Sequence, residues 1–316
     1  MRKLVRIGTR ESQLAVFQAT LVSNLLARQG IESELVYLKS DGDIDLITPL
    51  YEIGVQGIFT KNLDAALLNH KIDLAVHSMK DIPTQPAAGI IITAVLKRDN
   101  PRDLLVFRNS SQHDQYLQQN PWVGGNGNPP VIATSSIRRR AQWLHKYPSH
   151  RIENLRGNVN TRLAKLESSN WSAAIFAAAG LERIGLRPDN AVELDWMLPA
   201  PAQGAIAIAC REEDRELAED CKSLHDEDTF QCVSIEREFL RTLLGGCSTP
   251  IAALAEIEAD ELFFRGNLFS ADGKQKLEVE KILPVDKIIH LGKTAAEEIL
   301  MQGGEEIVGQ LQHAKK

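Results

Sequence analysis

The feature that most constrains the fold is an alternation of strand and helix patterns that two polar, proline-containing segments interrupt. The first is residues 97–102, Lys-Arg-Asp-Asn-Pro-Arg, and the second is residues 198–204, Leu-Pro-Ala-Pro-Ala-Gln-Gly. Alternating strands and helices predict α/β units built on largely parallel sheets. We interpret the two segments as crossovers of opposite sense, so that the chain leaves a first α/β domain and later returns to it.

We predict the strands and helices from the periodicity of hydrophobic residues along the chain. Strands are predicted at residues 4–8, 32–38, 73–77, 90–95, 104–107, 131–134, 151–155, 173–177, 251–257, 262–269 and 276–283. Helices are predicted at residues 12–29, 60–70, 136–146, 160–168, 228–244, 285–303 and 305–313. The Ala-Asp-Gly-Lys sequence at residues 271–274 predicts a hairpin turn.

These elements predict three domains. We expect residues 1–99 with 200–218 to form a discontinuous α/β domain and residues 100–199 to form a second α/β domain. Residues 219–316 change to a long helix, antiparallel strands and two further helices, which is typical of a small α+β domain. Two α/β domains joined by paired crossovers predict a cleft between them. That architecture suits a closing-cleft binding protein as well as an enzyme.

The composition is that of a soluble globular protein and excludes several classes of function. The chain has 316 residues, of which 43% are hydrophobic and 25% charged, so it is long enough for two or three domains. A net charge of −6 argues against a general nucleic-acid binder. The apolar runs are too short to span a membrane. Residues 1–8 combine basic side chains with a short apolar stretch, which predicts a strand and not a signal peptide.

The four cysteines, Cys210, Cys221, Cys232 and Cys247, show no Cys-x-x-Cys spacing. We therefore expect reduced thiols, a cytoplasmic location and no metal site. The sequence shows no coiled coil or repeat, so we also expect a monomer.

Cys247 differs from the other three because it lies in the segment Gly-Gly-Cys-Ser-Thr-Pro at residues 245–250. Glycines have no Cβ, so a bulky group can approach a thiol that becomes nucleophilic once it is ionised. The alternative is that Cys247 is a small buried hydrophobic residue, as free cysteines usually are.

Three strand-to-helix junctions combine hydroxyl groups with arginines. They are residues 9–12, Thr-Arg-Glu-Ser, residues 134–140, Thr-Ser-Ser-Ile-Arg-Arg-Arg, and residues 155–162, Leu-Arg-Gly-Asn-Val-Asn-Thr-Arg. A helix N-terminus presents N–H groups and the positive end of the helix dipole, and arginine binds carboxylates and phosphates with two parallel hydrogen bonds. Each junction alone is also explained by a capped helix with solvated basic residues. Together the three predict a polyanionic ligand.

A fourth motif, His-Ser-Met-Lys-Asp-Ile-Pro at residues 77–83, directly follows a buried strand. Ligands in open α/β sheets collect at such strand ends. Asp81, held close to Lys80 in a cleft, can stabilise a cationic intermediate or lend a proton. The alternative is a surface turn that Asp81 caps. We interpret His77 as a structural residue.

The joint order of these motifs resembles the porphobilinogen deaminase (hydroxymethylbilane synthase) family along essentially the whole chain. The similar blocks are residues 6–12, 54–63, 75–83, 100–103, 134–139, 155–163, 179–186, 198–204 and 245–250. The resemblance implies two domains similar to periplasmic binding proteins plus the small third domain. It also implies a transferase of tetrapyrrole (heme-type) biosynthesis that condenses four porphobilinogen molecules into the linear hydroxymethylbilane with release of ammonia. The implied primer is a dipyrromethane cofactor, one per chain, joined by a thioether to Cys247.

The resemblance also implies roles for individual residues. Asp81 matches the catalytic aspartate, which assists the loss of ammonia and stabilises the resulting azafulvenium cation. The residues that match cofactor-binding positions are Cys247, Lys80, Asp81, Ser136, Arg138 and Arg139. The residues that match substrate-binding positions are Arg10, Ser12, Phe59, Arg156, Arg162, Arg183 and Gln203. Every pyrrole of the substrate carries two carboxylates, so fixed cationic donors in a cleft suit the growing chain.

One position departs from the family, because Gln56 stands where a lysine is common in the loop over the cleft. Glutamine can form hydrogen bonds but supplies no cation. We therefore expect loop closure to be less sensitive to salt than it is in the lysine form.

Two other functions remain open from the residues alone. An anion-binding protein, such as a cytosolic ligand sensor, would bind its ligand stoichiometrically and tolerate Cys247→Ala. A cysteine-dependent hydrolase would need a histidine beside Cys247, and no motif places one there.

Overall fold

A computed structural model describes residues 4–39, 60–119, 122–124, 128–243 and 249–313. The strands in these ranges are β1 (Val5–Arg10), β2 (Ser33–Leu38), β3 (Leu74–Ser78), β4 (Ile90–Val95), β5 (Asp103–Phe107), β6 (Val131–Ala133), β7 (Arg151–Glu153), β8 (Ala173–Ala177), β9 (Ala191–Glu193), β10 (Ile206–Arg211), β11 (Ile251–Glu258), β12 (Glu261–Phe269) and β13 (Lys276–Pro284). The α-helices are α1 (Gln13–Ala27), α2 (Lys61–Leu68), α3 (Ser110–Gln118), α4 (Ile137–Lys146), α5 (Val159–Ser168), α6 (Ala178–Glu182), α7 (Arg215–Lys222), α8 (Glu227–Thr242), α9 (Leu291–Ile299) and α10 (Glu305–His313). Short 3₁₀ turns occupy Met79–Asp81 and Val285–Lys287, and a π turn occupies Leu300–Gly304.

The first sheet has the strand order β2-β1-β3-β10-β4. Strand β1 pairs in parallel with β2 and β3, whereas β10 runs antiparallel to β3 and β4. Every residue of β10 is buried, as is typical of a strand covered on both faces. Since β10 follows the second crossover, the chain returns to the first sheet after building the second.

The second sheet repeats this plan with the order β7-β6-β8-β5-β9. Strand β6 is parallel to β7 and β8, and β5 runs antiparallel to β8 and β9. In each sheet the one inserted antiparallel strand lies next to a crossover. The parallel strands of each sheet therefore present their carboxyl ends, and the loops that follow them, at one edge.

The third domain is an antiparallel sheet, β11-β12-β13, covered by α8 and α9. Its hairpin turn between β12 and β13 forms as expected and packs against α4 of the second domain. His145 Nδ1 lies 2.8 Å from the carbonyl oxygen of Gly273. Gly273 has a φ of 76°, and a Cβ there would lie 2.4 Å from the carbonyl oxygen of Ala141. Only glycine fits this approach. The expected fold class, two α/β domains with a small α+β domain, is thus confirmed.

The two crossovers and the third domain meet at one buried carboxylate, that of Glu236. Arg98 donates from Nη1 to Glu236 Oε1 at 2.6 Å and from Nη2 to Oε2 at 3.1 Å. Glu236 also accepts the backbone N–H groups of Ala202 at 2.6 Å and Ala255 at 2.8 Å. Removing one partner of such a buried pair costs about 3–5 kcal/mol. Ala202 has a φ of 63°, so the second crossover is held in a strained backbone conformation.

Several elements differ from the sequence-based expectation. The helix predicted at 285–303 begins too early, because Val285–Lys287 form a 3₁₀ turn, His290 has a φ of 59° and α9 begins only at Leu291. The predicted break before the last helix does occur, at Gly303 with a φ of 104°.

Strands β9 and β10 and helices α6 and α7 were not predicted, and α3 lies where the sequence left a helix or a loop open. The domain boundary placed at residue 218 falls inside α7, whose Cys221 is fully buried in the core of the first domain. The boundaries themselves stay a prediction.

Within the described ranges, no helix is both long and apolar enough to cross a membrane.

Candidate functional site

The candidate site lies at the strand ends of the two α/β domains. Arg10 ends β1, and Lys80 and Asp81 lie in the 3₁₀ turn directly after β3, so these three share one edge of the first sheet. In the second domain, Arg139 lies in the first turn of α4 after β6, and Arg156 follows β7. The motifs that the sequence separates by up to about 150 positions thus come to two facing edges.

The edges are connected by direct contacts between the domains. Asn160 at the start of α5 donates from Nδ2 to Gln13 Oε1 at the start of α1, over 2.9 Å. Lys80 Nζ donates to Gln203 Oε1 at 3.2 Å, and Gln203 lies in the second crossover. The site is therefore bounded by both domains and by the crossover between them.

A buried carboxylate that the sequence analysis did not single out organises the second domain's side of the site. Asp103 is fully buried at the start of β5. It accepts hydrogen bonds from Arg138 Nη2, Arg139 Nη2 and Gln203 Nε2, each at 2.8 Å. Burial alone would raise the pKa of Asp103, but the two guanidinium groups outweigh it and hold that pKa well below its usual range. The Asn-Pro-Arg-Asp block at residues 100–103 contains this aspartate, and only its buried partners reveal its role.

Each of the two arginines that bind Asp103 also donates a hydrogen bond to a backbone carbonyl group. Arg138 donates from Nη1 to the carbonyl oxygen of Leu198 at 2.6 Å, and Arg139 donates from Nη1 to that of Ile175 at 2.8 Å. Arg139 Nε is buried and has no hydrogen-bond partner among the described residues. A buried donor without a partner is costly, so this N–H leaves a hydrogen-bonding capacity unused at the site.

Arg162 is the centre of the cationic cluster. Burial lowers its pKa to about 10, and the guanidinium groups of Arg139, Arg156 and Arg10 act in the same direction, whereas Asp81 opposes them. Its Nε donates to the carbonyl oxygen of Gly157 at 2.7 Å, which fixes the side chain. Arginines from both domains and Asp81 therefore lie within electrostatic range of one another. Such a cluster of like charges is stabilised by a bound polyanion.

Lys80 and His77 have strongly shifted pKa values. Burial lowers the pKa of Lys80 to about 8, and the nearby Arg139 and Arg138 contribute to the shift, while Asp81 opposes it. Burial, and then the guanidinium group of Arg10, lower the pKa of His77 to about 4. The His77 imidazole is therefore neutral near pH 7, whereas Lys80 titrates close to it.

The hydroxyl groups of Ser12 and Ser136 cap helices. Ser12 Oγ accepts the N–H of Ala15 at 3.3 Å at the start of α1, and Ser136 Oγ accepts that of Arg139 at 3.4 Å at the start of α4. The helix caps are thus confirmed for both residues, but Arg138 and Arg139 of the second junction are buried and not solvated. Capping is compatible with ligand binding, because a cap holds the helix N-terminus at the site.

Gln203 lies in the second crossover, and Arg183, directly after α6, contacts both crossovers. Arg183 donates from Nε to Asp99 Oδ2 at 2.7 Å and from Nη2 to the carbonyl oxygen of Gly204 at 2.5 Å. Gln203 is buried, with Nε2 also donating to the carbonyl oxygen of Pro101 at 2.7 Å. Both side chains bind protein groups that join the two domains, and their predicted contacts with substrate stay a prediction.

Three of the four cysteines are buried. Burial raises the pKa of Cys210 to about 11 and the pKa values of Cys221 and Cys232 to about 12. These thiols stay protonated at neutral pH and are therefore poor nucleophiles. The predicted site residues Cys247 and Phe59, and the departing Gln56, lie outside the described residues. Within the described part of the chain, no three His, Cys, Asp or Glu side chains are grouped to hold a metal ion.

Sequence comparison identifies the family. Residues 5–219 match the porphobilinogen deaminase, dipyromethane cofactor binding domain, and residues 230–301 match the porphobilinogen deaminase C-terminal domain. The chain belongs to the porphobilinogen deaminase family. Its resemblance to that family is confirmed, and with it a transferase function in tetrapyrrole biosynthesis that uses a dipyrromethane cofactor.

Porphobilinogen deaminases of other organisms are similar to it along almost their whole length. That of Acidithiobacillus ferrooxidans is 39% identical over 314 residues, which cover 98% of this chain and 99% of that protein. The chloroplastic enzyme of Oryza sativa subsp. japonica is 41% identical over 321 residues, covering 98% of this chain and 87% of that protein.

Solved structures that match part of the chain include the periplasmic VFT2 domain of Bordetella pertussis BvgS, with a TM-score of 0.41, 12% identity and coverage of 70% of this chain and 86% of that one. A periplasmic binding protein of Salmonella typhimurium with high arginine specificity has a TM-score of 0.40 and 12% identity, covering 72% of this chain and 94% of that one.

Proposed function

We propose that the cleft condenses porphobilinogen and that Asp81 is its catalytic residue. The observation that carries the proposal is the position of Arg162, which lies within electrostatic range of Asp81 and Arg10 from the first domain and of Arg139 and Arg156 from the second. An acetate and a propionate group on every pyrrole give the substrate the negative charge that this cluster requires. Asp81 is half-buried and so is accessible to that substrate.

The residues of the site fit a dipyrromethane. Such a group carries carboxylates, and the unpartnered buried Nε of Arg139 offers a donor of the kind that binds them. The residues that would hold it are Lys80, Asp81, Ser136, Arg138 and Arg139, with the thioether at Cys247. When bound, this cofactor supplies the pyrrole carbon from which the new chain grows.

In the proposed mechanism, the Asp81 carboxylate accepts a hydrogen bond from the pyrrole N–H of porphobilinogen and thereby orients the ring. As ammonia leaves the aminomethyl group, positive charge develops on that ring. A carboxylate held at this place stabilises the charge, since fixed charges in a water-poor cleft act more strongly than in water.

The arginines orient and bind the carboxylates of the substrate. Arg10, Arg156 and Arg162 supply guanidinium groups on both sides of the cleft, and Lys80 adds an ammonium group beside Asp81. Ser12, Phe59, Arg183 and Gln203 belong to the same proposed substrate site. The crossover contacts of Gln203 and Arg183 also indicate a structural role, in which these side chains hold the two α/β domains in a fixed relative position.

We further propose that the enzyme is a cytoplasmic monomer that binds neither nucleic acid nor membranes. The free thiols of Cys210, Cys221 and Cys232 support a reducing compartment. The domain boundaries proposed above, with α7 assigned wholly to the first domain, belong to the same proposal.

Intact mass of the purified protein, with peptide mapping, tests the function. We expect added mass equal to two deaminated porphobilinogen units on the peptide that contains Cys247, and no such mass in Cys247→Ser. If the protein is unmodified, incubation with porphobilinogen decides between the remaining functions. Adduct formation with release of ammonia identifies an apo-enzyme, whereas neither event would favour the anion-binding protein.

A further inference from the structure

Helix α8 of the third domain has two buried faces. One face packs into the core of its own domain, through Cys232, Ile235 and Phe239. On the other face, fully buried Val233 packs in a cluster with Met79, the first residue of the 3₁₀ turn that carries Asp81, and with Ile82, the residue directly after that turn. The helix therefore connects the core of the third domain to the turn that carries Asp81.

Arg237 extends this second face. It lies four residues after Val233, so the two side chains are neighbours on one side of the helix. Its Nη1 donates to the carbonyl oxygen of Ile82 at 2.9 Å and its Nη2 donates to that of Pro83 at 2.7 Å. These two carbonyl groups belong to the residues directly after Asp81.

The turn also contains a backbone hydrogen bond of its own, in which the N–H of Ile82 donates to the carbonyl oxygen of Met79 at 3.2 Å. One guanidinium group that binds two successive carbonyl oxygens fixes both the position and the orientation of the backbone beside it. Arg237 therefore holds the turn from outside, whereas the Met79–Ile82 bond holds it from within.

The same helix is also anchored next to Arg237. Glu236 is fully buried, and its carboxylate accepts hydrogen bonds from the Arg98 guanidinium group and from the two backbone N–H groups described above. The helix ends at Thr242, and Cys247 follows five residues later in the sequence. One helix thus contacts the turn that carries Asp81 and precedes, along the chain, the segment that contains Cys247.

We propose that Arg237 is a positioning residue, which sets the place of Asp81 relative to the third domain through the carbonyl groups of Ile82 and Pro83. The proposal rests on the proposed function of Asp81. Arg237 acts on the backbone of the turn and not on the substrate.

The first test is Arg237→Met, which removes both donors and keeps an unbranched side chain. We expect kcat per cofactor-loaded enzyme to fall about 10- to 100-fold, since small displacements of a catalytic group have effects of that size. KM for porphobilinogen should change less than about threefold, because the carboxylate-binding arginines are untouched. Arg237→Lys keeps the charge and one donor at a time, so it should recover part of the rate.

The matched control is Arg241→Met. Arg241 is exposed one turn later on the same helix, so its loss should leave kcat and KM unchanged. Cofactor loading by mass and the melting temperature are measured for each variant, which separates a loss of folded protein from a loss of rate. A normal kcat per loaded enzyme in Arg237→Met overturns the proposal.

A double-mutant cycle shows whether Arg237 acts through Asp81. Adding Arg237→Met to Asp81→Asn should lower the residual rate less than about twofold, because residues that act on one group are not additive. If the double variant shows the product of the two single-variant losses in kcat, the positioning role is wrong. If Arg237→Met does not fold, Arg237→Lys goes through the same cycle. Normal turnover in Asp81→Asn alone would instead contradict the proposed function, so the two failures are distinguishable.

Discussion

Asp81 and Asp103 lie at the same site in opposite surroundings. Asp103 is fully buried and accepts three side-chain hydrogen bonds of 2.8 Å, two of them from guanidinium groups. Asp81 lies half-buried in a 3₁₀ turn, within electrostatic range of Arg162. The comparison shows that two aspartates at one site can have different uses. The buried carboxylate orients the protein's own arginines, and the accessible one stays available to a ligand.

The largest expected effect is that of Asp81→Asn on turnover. This change removes the charge but keeps the shape, so the fold should survive while kcat falls about 10³- to 10⁴-fold. The measurement is porphobilinogen consumption per folded enzyme, with the melting temperature as control. Near-normal turnover would remove Asp81 from the catalytic role.

Asp103→Asn should affect stability more than any other change at the site. It leaves two buried guanidinium groups without their counter-charge, which costs about 3 kcal/mol or more. Chemical denaturation measures this loss. Asp99→Asn is the matched control, because Asp99 pairs with Arg183 but its side chain is 51% exposed, so its pair contributes about 0–1 kcal/mol. Equal losses in the two variants would show that burial of Asp103 is unimportant.

The pH dependence of stability sharpens the same difference. The folded-state pKa of Asp103 lies below its ordinary value of 3.8. Its stabilising contribution is therefore present above about pH 4 and is lost as the pH falls further. Asp103→Asn should make the free energy of unfolding less dependent on pH in this acid range. An unchanged acid profile would mean that the carboxylate is not held in its charged form by the fold.

On the Asp81 side, pH should act through Lys80. Its pKa of about 8 means that the ammonium group loses its proton as the pH rises through that value. Carboxylate binding then loses a charge-assisted hydrogen bond, and KM should rise by up to about tenfold between pH 7 and 9.5. Lys80→Arg should remove the rise, since arginine stays charged. Lys71→Arg, at an exposed lysine of the same domain, serves as the control that should leave the profile unchanged.

The smallest expected effect is that of Gln56→Lys. A cation in the loop over the cleft should lower KM about twofold at low salt and make it more sensitive to ionic strength. Steady-state kinetics between about 0.05 and 0.5 M salt measure this dependence. If neither turnover nor its salt dependence changes, position 56 has no part in binding.

Local patterns predicted much of the fold because they depend on neighbouring residues. The caps at Ser12 and Ser136, the hairpin turn at Gly273 and most strands follow from signals within a few residues. The helix predicted across 285–303 begins too early, because residues 285–290 continue its apolar spacing although Val285–Lys287 form a 3₁₀ turn and His290 has a φ of 59°, which the pattern does not show. The buried strand β10 was missed because a short apolar run has no period of its own.

The sequence by itself determined the strand and helix order, the arginine-bearing junctions, the motif that carries Asp81 and, through the joint order of those motifs, the family. Tertiary structure alone decided that Asp103 collects Arg138, Arg139 and Gln203, and that Arg237 holds the carbonyl groups beside Asp81. The physical reason is distance along the chain. Gln203 lies 100 positions from Asp103, and Arg237 lies 155 from Ile82, so no local propensity links them. Only packing of the domains brings these groups within hydrogen-bonding range.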